Sequence, residues 1–555
     1  MFLFTGAHAV ELIAPPTTGR QYETLTFRFE ENLRFANPFD LETNRVELEI
    51  RSPDFNRSVL SFFFDGQNDA GVDRWVARFS PEQAGLYRFA VVIRDSVATR
   101  FILTVARNTK PQQGGLVTTS TFGLFAFRSG EPFRGIGMNV CWTNDYARYF
   151  KKMQAAGMNI TRIWLCPWNL SFEWQETGLG RYNLASARAL DSILQLAASY
   201  GIYVILCIDY HGVAPKGMGF FRENRWLANP YNIANGGPCR SPADMFTNPV
   251  AAGFLRQKYK YIAARYGHNN AIAAWEFYNE ADLMAGTPVP MNRWHVAMAE
   301  FLRSIDVHHR LISTSGTRRF VEKLVDAFRS PAIDVVMYHD YNTPDLAPYI
   351  VDLHEACVEY YRKPLVLGEF GVEFRGGDLT WIADSQHVGL HNGLWAGWFS
   401  ETPVVPLSWW WDSYIEAHDL WNEFEHLSRF AREMHFGDAR TAFRSLPSGR
   451  VGDPPADLRC MVRCIFTGPD CALWFKQDDY KWSVVREGKR PPPMQEFIQT
   501  VPDLVPGRYA IRWYDPGTGR FAGHAIDGTA TDDGALTLRV PGFSGDSACL
   551  IRRTQ

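Results

Sequence analysis

Ala271-Ile-Ala-Ala-Trp-Glu-Phe-Tyr-Asn-Glu-Ala-Asp282 reads as a buried strand that ends in chemistry. Its first half is apolar and strand-like, and its second half turns polar where a strand should end. Asn279 and Glu280 then stand at the mouth of a barrel or sheet. Pro364-Leu-Val-Leu-Gly-Glu-Phe-Gly371 has the same pattern, a short apolar run with Glu369 at its end. Either glutamate alone reads as a solvated strand terminus. Two of them on the ends of two buried strands are what a pair of catalytic carboxylates requires.

Outward from these stretches, the chain from about 133 to 436 alternates apolar runs with amphipathic ones. Strand candidates cover 133–140, 159–166, 202–209, 271–277, 311–315, 333–339, 364–369 and 404–411. Helix candidates between them include 187–200, 293–305 and 347–361. Near-continuous apolar strands alternating with helices predict an α/β fold, a closed parallel (β/α)8 barrel. An open doubly wound sheet is the alternative, but no glycine-rich phosphate loop follows the first strand.

The flanks read as all-β. Val46-Glu-Leu-Glu-Ile50 and Tyr87-Arg-Phe-Ala-Val91 alternate with period two, and Asp65-Gly66 and Ala84-Gly85 read as turns between short strands. After about Arg459 short strands return, at 472–476, 509–515 and 536–540. The predicted organisation is a β-sandwich over 1–108, the barrel over 116–440 and a C-terminal β-sandwich over 456–555. The junctions fall in Asn108-Thr-Lys-Pro-Gln-Gln-Gly-Gly115 and Leu446-Pro-Ser-Gly-Arg-Val-Gly-Asp-Pro-Pro455. The C-terminal domain reads as packing on the barrel, with sugar binding through Trp474, Trp482 or Trp513 as the alternative.

A hydrophobic content of 46% supports several large cores, and a net charge of −3 gives no reason to expect nucleic acid or an anionic membrane as partner. No apolar run is long enough for a transmembrane helix. Met1-Phe-Leu-Phe-Thr-Gly-Ala-His-Ala9 lacks basic residues and is short for a signal peptide. The reading is a secreted or periplasmic protein with a trimmed start, with the cytoplasm as the alternative. Cys141, Cys166 and Cys207 read as buried thiols. Around Cys460, Cys464 and Cys471 there is no CxxC or histidine pair, so no metal or other cofactor is expected.

In a barrel of this kind the C-terminal strand ends line the active site. They collect Arg162 from the second strand and His211 just after the third. The fourth contributes Asn279 and Glu280, the sixth His339 and Tyr341, the seventh Glu369. Trp409-Trp410-Trp411 follows from the eighth. Alternation puts Trp409 and Trp411 on one face, and Trp411 is taken as the sugar platform. The long segment 212–248 carries Trp226 and Tyr231 and reads as a lid walling one side of a cleft.

With these residues in place, the chain resembles the family-five glycoside hydrolases and their clan of retaining barrels, in a subgroup with an N-terminal Ig-like domain. The resemblance rests on Trp275-Glu-Phe-Tyr-Asn-Glu280 and Leu367-Gly-Glu-Phe-Gly371. Thr161-Arg162, Asp209-Tyr-His211 and His339-Asp-Tyr341 support it. One departure is Ala281, where the clan often has proline. The resemblance implies cleavage of β-linked glycans or oligosaccharides by double displacement. Glu280 would be the acid/base and Glu369 the nucleophile. Arg162 and Tyr341 would stabilise Glu369, Asn279 would hold a sugar 2-hydroxyl, and His211 and His339 would position hydroxyls or Glu280. Three alternatives stand beside this. One is an exo-acting β-galactosidase or β-mannosidase with a pocket. Another is a metal-dependent barrel using Asp209, His211, Glu280, His339 and Glu369. The third is a non-catalytic carbohydrate-binding protein.

Overall fold

A computed structural model describes residues 10–110, 114–119, 123–217, 225–434, 436, 441–448, 450–451, 456–457 and 459–554. The first nine residues, residues 111–113 of the first predicted junction, and 449 and 452–455 of the second lie outside the described residues. The central region is a parallel barrel. Its strands are β1 (Gly137–Asn139), β2 (Ile160–Trp164), β3 (Tyr203–Tyr210), β4 (Ile272–Asn279), β5 (Leu311–Ser313, resuming at Ser315–Gly316), β6 (Val336–Tyr341) and β7 (Leu365–Gly371). They pair in that order and all in parallel.

The eighth position departs from the expected strand 404–411. Residues 404–408, here β8, close the barrel through single bridges, Gly135 to Val404, Met138 to Ser408 and Phe370 to Ser408. The Val405 N–H donates to Gly135 O at 2.9 Å and the Leu407 N–H to Leu367 O at 3.0 Å. Between them Pro406 has no N–H to give, so a regular ladder cannot form. Trp411 has already left the strand and opens a wide helical turn, Trp411–Glu416.

The predicted helices appear as Leu184–Ser199, Pro288–Ile305 and Leu346–Tyr361. The first is capped by Asn183, whose side chain accepts from two backbone N–H groups. At the N-terminal mouth a three-stranded sheet, Leu116–Thr118, Phe125–Phe127 and Pro132–Phe133, plugs the barrel. Its Phe125, Phe127 and Phe133 share a core with Ile160, Ile205, Val335 and Val366.

Ahead of it, a five-stranded and a three-stranded sheet enclose Phe27, Phe29, Phe62, Trp75 and Phe89. Asp65-Gly66 is not a turn here. Both residues lie within the strand Phe63–Gln67, at a register shift where Gly66 takes φ +82°. That is a bulge, which glycine tolerates in a backbone region closed to most residues. This region is bound to the barrel helices: the Tyr261 hydroxyl donates to Phe64 O at 2.8 Å, and Arg78 pairs with Asp191 at 2.6 Å.

The C-terminal strands hydrogen-bond into one continuous antiparallel sheet. Asp470–Gln477 and Phe497–Val501 are far apart in its order. Even so, the Phe475 and Phe497 rings approach to 6.0 Å, so the sheet folds over to enclose its own core. The three tryptophans offered as sugar binders are buried instead. Trp474 donates to Asp546 and Trp482 to Thr343 O, and Trp513 lies in the core. Trp482 also packs with Val372 and Val388 of the barrel. The domain thus props the loops that follow β6 and β7. Among the described residues, no helix is long and apolar enough to cross a membrane.

Candidate active site

Arg162 on β2 is the centre of the site and has no solvent exposure. Its Nε and Nη2 grip both oxygens of Glu276 at 2.6 and 2.7 Å. Nη1 reaches Glu369 Oε1 at 2.7 Å, and Nη2 also reaches Asn279 Oδ1 at 2.7 Å. One guanidinium therefore ties the ends of β4 and β7 together. A planar fork of fixed donors suits this as an ammonium would not. The Glu276 pair is fully buried, so removing one partner strands the other. Arg162→Met is expected to cost about 3–5 kcal/mol in urea unfolding. Glu276→Gln, which keeps shape and some hydrogen bonding, should cost less. A loss for Arg162→Met below about 1 kcal/mol, the scale of an exposed pair, would mean that the clamp does not hold the barrel.

Glu369 Oε2 accepts from the Tyr341 hydroxyl at 2.8 Å and lies 3.4 Å from His339 Nδ1. Burial raises its pKa, and the Arg162 charge and the Tyr341 hydrogen bond oppose that push. Glu280 is placed differently. It sits where β4 turns into a short helix, Ala281–Leu283, at φ +49°. A non-glycine residue in that region is strained. The Glu280 N–H donates to Ser315 Oγ at 3.0 Å, which fixes the turn from β5. Its Oε1 is 3.0 Å from His339 Nδ1 and its Oε2 3.6 Å from His211 Nδ1. Burial raises the Glu280 pKa to about 7. Burial also lowers His339 to about 4 and moves His211 down, so both rings are neutral at neutral pH. Glu369 thus faces a permanent cation, whereas Glu280 has neutral imidazoles as its nearest partners. That asymmetry favours charge on the first and a proton on the second.

Asn279 Oδ1 is held by Arg162, and its amide nitrogen lies 3.3 Å from His211 Nδ1. The Trp409 ring, 7% exposed, lies 5.3 Å from Trp164, over which the Arg162 guanidinium sits at 5.2 Å. Trp411 is packed edge-on against Trp142 at 4.9 Å. The chain leaves the strand at Trp411, and it is Trp409 that packs on Trp164, the ring under the Arg162 guanidinium. Trp410 turns away to donate to Glu373 O at 2.7 Å. Trp226 is buried within the segment after β3, where its carbonyl accepts from Asn232. Residues 218–224 of that segment lie outside the described residues.

The five-residue metal set does not assemble. Both Asp209 oxygens are taken by Lys258 at 2.8 and 2.9 Å. Glu280, His339 and Glu369 do present ligand atoms within 4.8 Å of one another. The Arg162 charge already bound to Glu369 opposes a cation there. Sequence reasoning missed Glu276, Ser315, Trp142 and Trp164. Only Glu276 left a usable signal, since a carboxylate inside an apolar strand must have a partner.

A (β/α)8 barrel with two facing carboxylates at its strand ends has the form of a barrel glycosidase site. The chain belongs to glycosyl hydrolase family 5: that family's model, described as cellulase, matches residues 128–413, just over half the chain. A domain of unknown function (DUF5060) matches residues 18–94. Similar curated proteins include mannan endo-1,4-beta-mannosidase 4 of Solanum lycopersicum, 28% identical over 258 residues. Mannan endo-1,4-beta-mannosidase 1 of Oryza sativa subsp. japonica is 25% identical over 302. These alignments take in 40% and 44% of this chain, and 62% and 66% of the relatives' own lengths. The chain thus spans less than two thirds of each. A candidate glycoside hydrolase of Bacteroides vulgatus superposes with a TM-score of 0.70 at 16% identity, covering 97% of this chain and all of that one, which shows a shared fold.

Proposed function

We propose that the chain hydrolyses β-linked glycans of the mannan or glucan type with retention of anomeric configuration. The observation that carries this is the approach of Glu280 and Glu369 oxygens within 4.8 Å. Retaining enzymes hold their carboxyl groups about 5–5.5 Å apart, whereas inverting ones need about 6.5–9.5 Å to admit water. Glu369, the charged member, attacks the anomeric carbon. Glu280 protonates the leaving oxygen and then, as its conjugate base, activates water. Asn279, with its oxygen committed to Arg162, offers its amide to the sugar 2-hydroxyl. His211 and His339 orient Glu280, Tyr341 holds Glu369, and Trp409 rather than Trp411 backs the bound ring. The mannanase relatives point to β-1,4-mannan as the first substrate to try.

Proton NMR of the first-formed product from β-1,4-manno- and gluco-oligosaccharides tests the proposal. The β-anomer is expected to appear before mutarotation. An initial α-anomer, or no hydrolysis across the panel, overturns it.

The Glu280 pKa sets the alkaline side of the pH profile. The acid form is the active one, so kcat/KM is expected to fall as pH rises through about 7. Protonation of Glu369 gives the acid limb. With an activated aryl glycoside, Glu280→Gln should lose the alkaline limb of kcat/KM while the acid limb remains. An unchanged alkaline limb would assign it to another group.

A further inference from the structure

A second cavity, of about 580 Å³, lies at the opposite end of the barrel between the N-terminal sheets and the helix Leu184–Ser199. That volume suits a small ligand, and domain interfaces are where such sites concentrate. Thr24, Thr26 and Arg28 line it from one side, Gln195, Tyr203 and His268 from the other. The cavity meets the starts of β3 and β4, so it is about one strand length, roughly 25 Å, from Glu280.

The charges are not balanced. Arg78 is committed to Asp191 at 2.6 Å, and Arg265 to Asp191 and Asp65 at 2.6 and 2.9 Å. Arg28 makes no ion pair among the described residues. His268, 2.9 Å from Thr24 Oγ1, is held well below its ordinary pKa by burial and then by Arg78, Arg310 and Arg265. With Arg78 paired to Asp191, the lining carries a net positive charge from Arg28, an exposed guanidinium with hydroxyl and amide groups and a tyrosine ring beside it.

We propose that this interdomain cavity binds a small hydroxylated carboxylate, a sugar of the uronic-acid type. Arg28 takes the carboxylate through its fork of donors, Thr26 and Gln195 meet hydroxyls, and the Tyr203 ring covers the sugar face.

Calorimetric titration of the full chain with glucuronate and galacturonate tests it, with glucose and inorganic phosphate as comparison ligands. One uronate per chain is expected to bind, with no competition from manno-oligosaccharide. R28Q should weaken binding about tenfold or more. A198W, at an exposed position lining the cavity, should abolish it by filling the space. Thermal unfolding reports whether each variant folds, and Q195A, with a smaller expected loss, serves if either does not. The proposal is overturned if no uronate binds, if R28Q and A198W leave binding unchanged, or if manno-oligosaccharide displaces it. Glucose binding as tightly removes the carboxylate from the reading. Phosphate binding as tightly removes the sugar.

Discussion

Glu369→Ala is expected to lower kcat on an aryl β-mannoside by about 10⁴-fold or more. The expectation comes from how the side chain is held. One oxygen is fixed by Arg162 at 2.7 Å and the other by the Tyr341 hydroxyl at 2.8 Å, so the carboxyl group is aimed before substrate arrives and its charged form has a cation beside it. Alanine leaves a space beside the anomeric carbon and a guanidinium still anchored on Glu276. The barrel should therefore fold, and the unfolding curve should stay close to wild type. Azide is small enough for the vacated space and needs no base. It should attack the sugar directly and give an α-glycosyl azide. Turnover within about tenfold of wild type, with no response to azide, would remove Glu369 from the nucleophile's role.

The positions that sequence alone made legible are those where backbone geometry leaves little choice. A strand of a parallel barrel ends at the catalytic face, so a polar residue that closes an apolar run has one place to go. His211, Asn279, Glu280 and Tyr341 follow that rule, whereas Arg162, His339 and Glu369 sit two residues inside the ends of their strands; the structure brings all seven together. The rule fails where the chain stops being a strand. Pro406 breaks the ladder of β8 and a helical turn starts at Trp411, so period-two alternation could not rank Trp409 against Trp411. Glu276 lies inside β4, and nothing local says that its partner is on β2. Trp474, Trp482 and Trp513 share a different fault. Tryptophan is both a sugar platform and a core residue, and here the first donates to Asp546, the second to Thr343 O, and the third lies in the core of the C-terminal sheet. The Asp65-Gly66 pair reads as a turn by composition, yet it serves a bulge because the flanking residues pair across to the strand Asp73–Phe79.

Glu280→Ala should separate the two chemical steps rather than abolish both. Burial keeps this carboxyl protonated up to about pH 7, next to two imidazoles that are themselves neutral. Its proton matters most when the leaving group is poor. Natural β-glycans should therefore be cleaved about 10²–10⁴-fold more slowly, the usual worth of a placed acid. A dinitrophenyl glycoside needs no such help. With Glu369 intact it should release phenol in a burst equal to the enzyme present and then stall, because no base activates water for the second step. Azide should restart turnover by attacking the glycosyl-enzyme from the face that water would have used. Two displacements at one carbon give a β-glycosyl azide, opposite to the product of Glu369→Ala. The reading depends on this contrast, since two structural glutamates would give no azide products and two interchangeable ones would give the same anomer. If the anomers came out exchanged, the roles would pass to the other residue. Arg162, bound to Glu369 and not to Glu280, would then need another explanation.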